Sequence, residues 1–204
     1  MPALNKRSYA AAVELLAAGD EDLALIVERF GAPPFVSRPN SFATLVSIIF
    51  EQQVSLASAK ATFDKVALLL PDFSEGKYLE LSDETLRAAG VSRQKIRYTR
   101  LVAEAILAGR LPIRSLARKS DAQVRELLTA ITGLGNWTAD VYLMIALRRP
   151  DLWPIGDLAL VKAVMSVKGI GDKPDARTLE ELGERYRPYR SVATGILWRH
   201  YLYS

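Results

Sequence analysis

The sequence contains no cysteine and a single histidine, His200. Without cysteine the chain has no disulfide bond, no thiol nucleophile, no cysteine-bound zinc and no cysteine-ligated iron–sulfur cluster. One histidine does not build a metal site by itself, so we expect no metal and no cofactor. No apolar run approaches the roughly 20 residues of a membrane-spanning helix, and the first residues, MPALNKRSYA, lack the apolar core of a secretory signal. We therefore expect a cytoplasmic protein without a membrane partner.

Long alternating runs rich in β-branched residues are also missing, whereas apolar residues recur at spacings of three and four. This pattern predicts an all-α protein. Half of the 204 residues are apolar, which is enough for one compact unit or two small lobes. The predicted helices are 8–18, 21–30, 41–53, 55–70, 82–89, 92–108, 120–131, 137–147, 157–167, 177–186 and 190–202.

Several predicted helices have recognisable start signals. Ser120 followed by Gln123 has the form of a capping box. Ser92 precedes a basic helix that it can cap, and Asp83 lies in a first turn. These signals support the helical interpretation at the level of individual residues.

Positive charge is concentrated between Arg87 and Lys119. That segment holds nine Lys or Arg residues and one acid, although the net charge of the chain is only +4. A polyanion can dock on such a segment, and Arg93, Arg97 and Arg100 would form one stripe on a helix. The alternative is a solvated helix surface whose countercharges lie elsewhere in the fold.

The segment LLTAITGLGNWTADVYLMIAL at 127–147 predicts two helices joined by a short turn. Its two glycines, one residue apart, permit positive φ and a close approach of the backbone to a neighbour. The amides of the turn and the N-terminus of the second helix then point to one place, which favours a bound phosphate. A tight hairpin also needs glycine for structure alone, so the motif by itself is weak evidence. The predicted phosphate-binding residues are Thr132, Gly133, Leu134, Gly135, Asn136 and Thr138.

About twenty residues downstream, in LWPIGDLALVKAVM, Asp157 follows a Pro- and Gly-containing turn and opens an apolar helix. Aspartate is a favoured helix N-cap, and in isolation the cap is the better interpretation. The hairpin and the aspartate together, in this order and spacing, give the residue a second interpretation.

Together they resemble the helix–hairpin–helix (HhH-GPD) superfamily of base-excision DNA glycosylases, and most closely its DNA-3-methyladenine glycosylase II branch. Three further segments are similar to that branch: SIIFEQQVSLASAKATF at 47–63, GVSRQK at 90–95 and RYRPYRSVATGILWRHYL at 185–202. The resemblance covers most of the chain from about Ser41 onward.

The resemblance implies an all-α, two-lobed fold without the additional N-terminal β domain of some members. One predicted lobe is 36–150, with the hairpin. The other combines 1–35 with 151–204 and carries Asp157, and the resemblance implies that the active-site cleft lies between the lobes.

The implied activity is monofunctional removal of alkylated purines, such as 3-methyladenine and 7-methylguanine, from double-stranded DNA in base excision repair. Asp157 is implied as the carboxylate that stabilises the sugar cation and orients or deprotonates water. The target base must first be flipped out of the duplex. Other lesions, including 1-methyladenine and deaminated or etheno bases, remain alternatives. The resemblance also implies a monomer.

Further roles follow residue by residue from the same resemblance. Trp137, Trp198 and Tyr142 are predicted to line the base pocket, where an aromatic face attracts a cationic base; the alternative for each is core packing. Gln53 is predicted to fill the vacated base stack, and the alternative is a helix cap. Gln52 is interpreted as structural. Ser92, Arg93 and Lys95, at the start of the basic helix, are predicted as possible DNA contacts, although the resemblance does not name Arg93.

Two positions bear on the type of chemistry. Trp137 stands where strand-cutting relatives carry a Schiff-base lysine, which implies hydrolysis to an abasic site without lyase activity. Gly195 stands where relatives carry a bulky residue, so we expect an enlarged or reshaped pocket. The competing hypotheses are a non-catalytic DNA-binding protein and a lyase that uses another amine, such as Lys162.

Overall fold

Residues 2–204, which the computed structural model describes, form twelve α-helices and one 3₁₀-helix and contain no β-strand. The all-α prediction is therefore confirmed. None of these helices is both long and apolar enough to cross a membrane. The α-helices are α1 Lys6–Gly19, α2 Glu21–Phe30, α3 Phe42–Glu51, α4 Leu56–Leu69, α5 Glu75–Glu80, α6 Asp83–Ala88, α7 Arg93–Leu107, α8 Asp121–Thr129, α9 Asn136–Ile145, α10 Leu158–Lys168, α11 Ala176–Glu184 and α12 Arg190–Tyr203, and the 3₁₀-helix is Ile113–Arg118.

Every predicted helix has a counterpart, and two observed helices were not predicted. These are α5 and the 3₁₀-helix, each of six residues. Six residues repeat an apolar spacing at most once, so a helix of this length is recognised from its start and stop signals, as α6 is between Asp83 and Gly90.

The predicted start signals are present. Ser120 and Gln123 form a capping box at the start of α8, and the Ser92 hydroxyl accepts a hydrogen bond from the Lys95 N–H at the start of α7. Local side-chain chemistry thus fixes where these helices begin.

The chain divides into two compact units, Met1–Ser37 with Leu143–Ser204, and Arg38–Tyr142. The second boundary falls within α9. We call them the terminal unit and the central unit. The functional division into lobes at 36–150 and at 1–35 plus 151–204 stays a prediction.

In the terminal unit, α12 packs against α1, α2 and α10. Its buried residues join those of the other three helices and Trp153 in one apolar core. The core residues of α12 come from its first two turns, Val192 to Leu197, so this part of the helix is held by packing.

In the central unit, α3 packs against α4 and α7, and α7 also packs against α5 and α6. An aromatic group with ring centroids 5.2 to 6.5 Å apart fills part of this core; its members are Phe42, Phe50, Phe63, Phe73 and Tyr78. The Tyr78 hydroxyl is paired with Thr99 Oγ1 at 2.7 Å, so the buried polar atom is satisfied.

Candidate active site

Asp157 is the N-cap of α10, as its local sequence predicts. Its Oδ1 accepts a hydrogen bond from the Leu160 N–H at 2.7 Å, and the residue is 7% exposed. The same Oδ1 accepts a second hydrogen bond, of 2.9 Å, from Trp198 Nε1. Two donors from different helices therefore fix the orientation of this carboxylate group.

The segment that leads to Asp157 is anchored along its length. Trp153 is buried and donates from Nε1 to the Leu179 carbonyl at 2.8 Å. Its indole lies so close to Gly183 that a Cβ there would approach it to 2.7 Å. Upstream, the Leu152 N–H donates to Ser191 Oγ at 2.9 Å. These contacts hold the turn before the catalytic candidate in one position.

Trp198 has a second role besides its hydrogen bond to Asp157. It lines a cavity of about 160 Å³ in the terminal unit. The walls are mostly apolar and come from the N-terminal segment, the loop before α3 and helices α9 and α12. The lining residues are Leu4, Tyr9, Pro33, Pro34, Phe35, Val36, Met144, Ile145, Ser191, Gly195, Trp198, Arg199, Leu202 and Tyr203.

Gly195 borders this cavity one turn before Trp198, and its missing side chain reshapes the wall. A Cβ at position 195 would overlap the hydroxyl oxygen of Tyr9. The space that a larger residue would use is thus taken by a tyrosine from α1. Sequence reasoning missed Tyr9, because its helical spacing marks it only as a core residue.

The predicted hairpin occupies 130–135, between α8 and α9, in the central unit. Thr132, Gly135 and Asn136 are exposed, whereas Leu134 is buried. The Ala139 N–H donates to the Gly135 carbonyl at 3.1 Å, which makes Gly135 the residue that opens α9. A phosphate at this place would meet backbone N–H groups of a helix N-terminus.

The two hairpin glycines serve different purposes. Gly133 has φ of +94°, and a Cβ there would overlap the ring of Tyr98. Gly135 does not have positive φ, and no atom lies within 4 Å of a Cβ placed on it. Gly133 is therefore explained by internal packing, and Gly135 is the position where a side chain would obstruct an approaching ligand.

Gln52 holds the hairpin in place. Its Nε2 donates to the Gly133 carbonyl at 3.1 Å and to Thr138 Oγ1 at 3.0 Å. Thr138 is buried, so its hydroxyl faces this glutamine. The two hydrogen bonds join the end of α3 to both sides of the turn.

Gln53 follows directly and is exposed, with φ of +57°. A residue other than glycine in this left-handed conformation is uncommon. Helix α3 has already ended at Glu51, with Gln52 as its C-cap, and no local sequence signal indicates the unusual conformation of the exposed Gln53 that follows.

The other two pocket candidates lie in the central unit. Trp137, in the first turn of α9, is partly exposed. Tyr142 is fully buried, and its hydroxyl donates to the Asn40 side chain. A ring without exposed surface has none to offer a base, so we leave Tyr142 out of the proposed base site.

The predicted contacts at the start of α7 differ in their availability. Arg93 is exposed, whereas Lys95 Nζ donates to the Phe50 carbonyl at 2.7 Å, and burial lowers the pKa of Lys95. Arg100 is 2.7 Å from Asp83 Oδ1 and also donates to the Leu81 carbonyl. The proposed basic stripe is therefore shorter than its spacing predicts, because Arg100 is occupied within the protein.

Residues 46–188 match the sequence profile of the HhH-GPD superfamily, described as base excision DNA repair proteins. The "Alkylbase DNA glycosidase-like protein mag2" of Schizosaccharomyces pombe is 27% identical over 198 residues, which span 94% of this chain and 93% of that protein.

Two solved structures resemble the chain as well. The 3-methyladenine DNA glycosylase Mag1 of S. pombe, in complex with abasic DNA, has a TM-score of 0.85 and 26% identity over 92% of this chain and 95% of its own. A DNA-3-methyladenine glycosidase from Bacillus halodurans has a TM-score of 0.75 and 36% identity, over 93% of this chain and 88% of its own.

Proposed function

The chain belongs to the HhH-GPD superfamily of base excision DNA repair proteins, and on that premise we propose that it is a monofunctional DNA glycosylase for alkylated purines. Its substrate is double-stranded DNA with a damaged base, and its products are the free base and an abasic site. Relatives named as 3-methyladenine glycosylases or glycosidases support this substrate class.

The observation that carries the proposal is the fixed carboxylate of Asp157. An aspartate that served only as a helix cap would need no donor besides the Leu160 N–H. Here Trp198 adds a second donor, and its indole also lines a cavity. A carboxylate held in this way beside an aromatic wall is suited to act on a bound base and its sugar.

Base flipping is the first step, because the target bond is unreachable inside a stacked duplex. Gln53 is the proposed wedge that occupies the vacated space. Its exposure and its left-handed backbone support this role, and its neighbour Gln52 ties the turn to the hairpin that would hold the phosphates. A wedge on a firmly anchored turn is able to resist return of the base.

Cleavage of the N-glycosidic bond leaves positive charge on the sugar, and the electron pair of that bond departs with the base. Asp157 stabilises this developing cation through its negative charge. Its orientation is set before the substrate arrives, so little reorganisation is needed. Water then adds to the sugar as Asp157 orients it or accepts its proton.

Recognition of the base depends on aromatic faces. Trp198 is the proposed contact, and a role for Trp137 in the pocket stays a prediction from the resemblance. An alkylated purine that carries positive charge gains about 0.5–2 kcal/mol from such a face compared with a neutral purine. The same charge weakens the glycosidic bond, so selectivity and reactivity favour the same lesions.

Hydrolysis, rather than a Schiff base, is the proposed chemistry. Trp137 occupies the position that carries a lysine in lyase relatives. The lysine closest in sequence to Asp157 is Lys162, which is exposed on α10 and therefore lacks the apolar surroundings that activate a Schiff-base lysine.

The test uses duplexes that each hold one lesion, with the released base measured over time. We expect release of methylated purines and no strand cleavage. Asp157→Asn should slow release about 10²- to 10³-fold, because it removes the charge but retains the hydrogen-bond acceptor.

Two results would contradict the proposal. Release at the wild-type rate by Asp157→Asn would remove the carboxylate from the mechanism, and no release by the wild-type protein would favour the non-catalytic DNA-binding alternative. Borohydride trapping of a protein–DNA adduct, abolished by Lys162→Ala, would instead support the lyase.

A further inference from the structure

Tyr9, in α1, lines the same cavity as Trp198. The residue is 9% exposed, and its ring lies 5.3 Å from that of Phe35, tilted by 49°. The contact with Phe35 does not use the hydroxyl group. The ring therefore belongs to the core, while its polar end borders the cavity.

Among residues 2–204 no group is hydrogen-bonded to the Tyr9 hydroxyl, and burial is the one influence on its pKa. The hydroxyl is not one of the fully buried polar atoms that lack a partner, so it is open to the cavity and can pair with a molecule bound there. Burial raises the pKa of Tyr9 to about 12. The group therefore keeps its proton at neutral pH and is able both to donate and to accept.

Gly195 is what permits this placement. A Cβ at position 195 would overlap the Tyr9 hydroxyl oxygen, whereas the next atoms, Tyr9 Cζ and Pro33 Cγ, are at ordinary contact distances of 3.7 and 3.9 Å. The close approach thus concerns the hydroxyl alone. Tyrosine at 9 and glycine at 195 form a matched pair.

We propose that the Tyr9 hydroxyl is a specificity-determining group that hydrogen-bonds the heterocyclic edge of the flipped purine, at a position kept open by Gly195. This rests on the proposed glycosylase function. A purine edge presents ring nitrogens and an exocyclic amino or oxo group, any of which a hydroxyl can pair with. The mostly apolar walls are tolerant of shape, so this hydroxyl distinguishes lesions by the atom that each presents to it.

The first test compares Tyr9→Phe with the wild-type protein under single-turnover conditions on a panel of single-lesion duplexes. Loss of one neutral hydrogen bond should slow release about three- to tenfold on lesions that present a partner atom. Lesions whose alkyl group covers that atom should be released at the wild-type rate. Affinity for a duplex with an abasic-site analogue, which has no base to contact, should not change.

The second test is a double-mutant cycle with Gly195→Ala. Alone, Gly195→Ala displaces the hydroxyl and should slow the same lesions as Tyr9→Phe. In the Tyr9→Phe background it should have no further effect on rate or on thermal stability, since the overlapping oxygen is gone. Additive effects of the two substitutions would overturn the matched-pair interpretation.

The outcomes separate the inference from the function on which it rests. If the wild-type protein releases bases and Tyr9→Phe releases every lesion at the same rate, the base contact is wrong and the glycosylase function stands. If Tyr9→Phe slows all lesions equally and also weakens binding to the abasic analogue, the hydroxyl has a structural role and the inference is wrong. If the wild-type protein releases nothing, both fail.

Discussion

At the scale of single residues, Asp157 combines a structural role with a chemical one. Its Oδ1 accepts from the Leu160 N–H and from Trp198 Nε1. The two roles depend on different properties of the side chain, because hydrogen bonding needs an acceptor oxygen whereas catalysis needs negative charge.

Substitutions at Asp157 should therefore separate stability from activity. Asp157→Asn keeps the acceptor and should lower the free energy of unfolding by about 1 kcal/mol or less. Asp157→Ala removes the cap and leaves the Trp198 N–H without its acceptor, a loss of about 2–4 kcal/mol. Urea unfolding measures both values. Equal losses for the two variants would mean that the hydrogen bonds to Oδ1 contribute nothing.

At Gln53 we expect the same substitution to stabilise the fold and to impair base release. Its φ of +57° is unfavourable for a residue with a side chain. Gln53→Gly should raise the free energy of unfolding by about 0.5–1 kcal/mol while slowing base release, because the wedge is lost.

A matched control is Arg148→Gly, since Arg148 is also exposed and has φ of +56°. Arg148→Gly should raise the free energy of unfolding by a similar amount, and the rate of base release at saturating enzyme should not change. If Gln53→Gly excises bases at the wild-type rate, Gln53 is only a turn residue and another side chain fills the stack.

At the scale of elements, the hairpin before α9 depends on its two glycines for different reasons. Gly133→Ala should be destabilised by more than 1 kcal/mol, since its Cβ would overlap Tyr98 at positive φ. Gly135→Val should fold normally, because its Cβ points to open space, but it should weaken binding to any DNA sequence by obstructing a phosphate.

Thermal unfolding and fluorescence anisotropy with an undamaged duplex measure these two effects. Gly135→Val with wild-type affinity would remove the hairpin from the interface. Gly133→Val, the more obvious substitution from sequence, would not discriminate, because misfolding of the hairpin would weaken binding for a different reason.

The start of α2 should make stability depend on pH. Asp20 caps this helix through the Leu23 N–H at 3.1 Å and lies 3.5 Å from Lys168 Nζ. Burial acts to raise the pKa of Asp20, but the Leu23 hydrogen bond and Lys168 outweigh it and lower the pKa overall. The stabilisation by Asp20 is therefore complete above about pH 4, the pKa of aspartate in an unfolded chain. It is lost as the pH falls through the lower pKa that Asp20 has in the folded protein.

Asp20→Asn should reduce the free energy of unfolding by about 1 kcal/mol at pH 7. The difference from wild type should shrink as pH falls below about 4, because the wild-type carboxylate then becomes protonated. Urea unfolding at a series of pH values measures this. A difference that stays constant with pH would mean that the charge of Asp20 contributes nothing.

At the scale of the whole molecule, the parts that could be predicted from sequence are those fixed by neighbouring residues. Helix spacing, the Ser120 cap and the Asp157 cap are local patterns. The resemblance located the hairpin because its motif is also contiguous. The Gln52 anchor joins residues that are 86 apart in the chain, and Tyr9 reaches Gly195 from the opposite end of the sequence. No local pattern records such pairings, because they depend on how the helices pack.

Binding to DNA is a property of the whole charge distribution, and the modest net charge of +4 makes the placement of the charges decisive. Affinity should fall steeply with salt, with a slope of about −0.9 for each phosphate neutralised. Arg93→Ala should reduce that slope by about one, because this side chain is exposed at the start of α7. Arg177→Ala on α11 removes the same charge from a residue paired with Glu181 at 2.8 Å and should leave the slope unchanged. Anisotropy titrations over a range of salt concentrations give both slopes, and equal slopes for the two variants would mean that net charge, not the basic end of α7, governs binding.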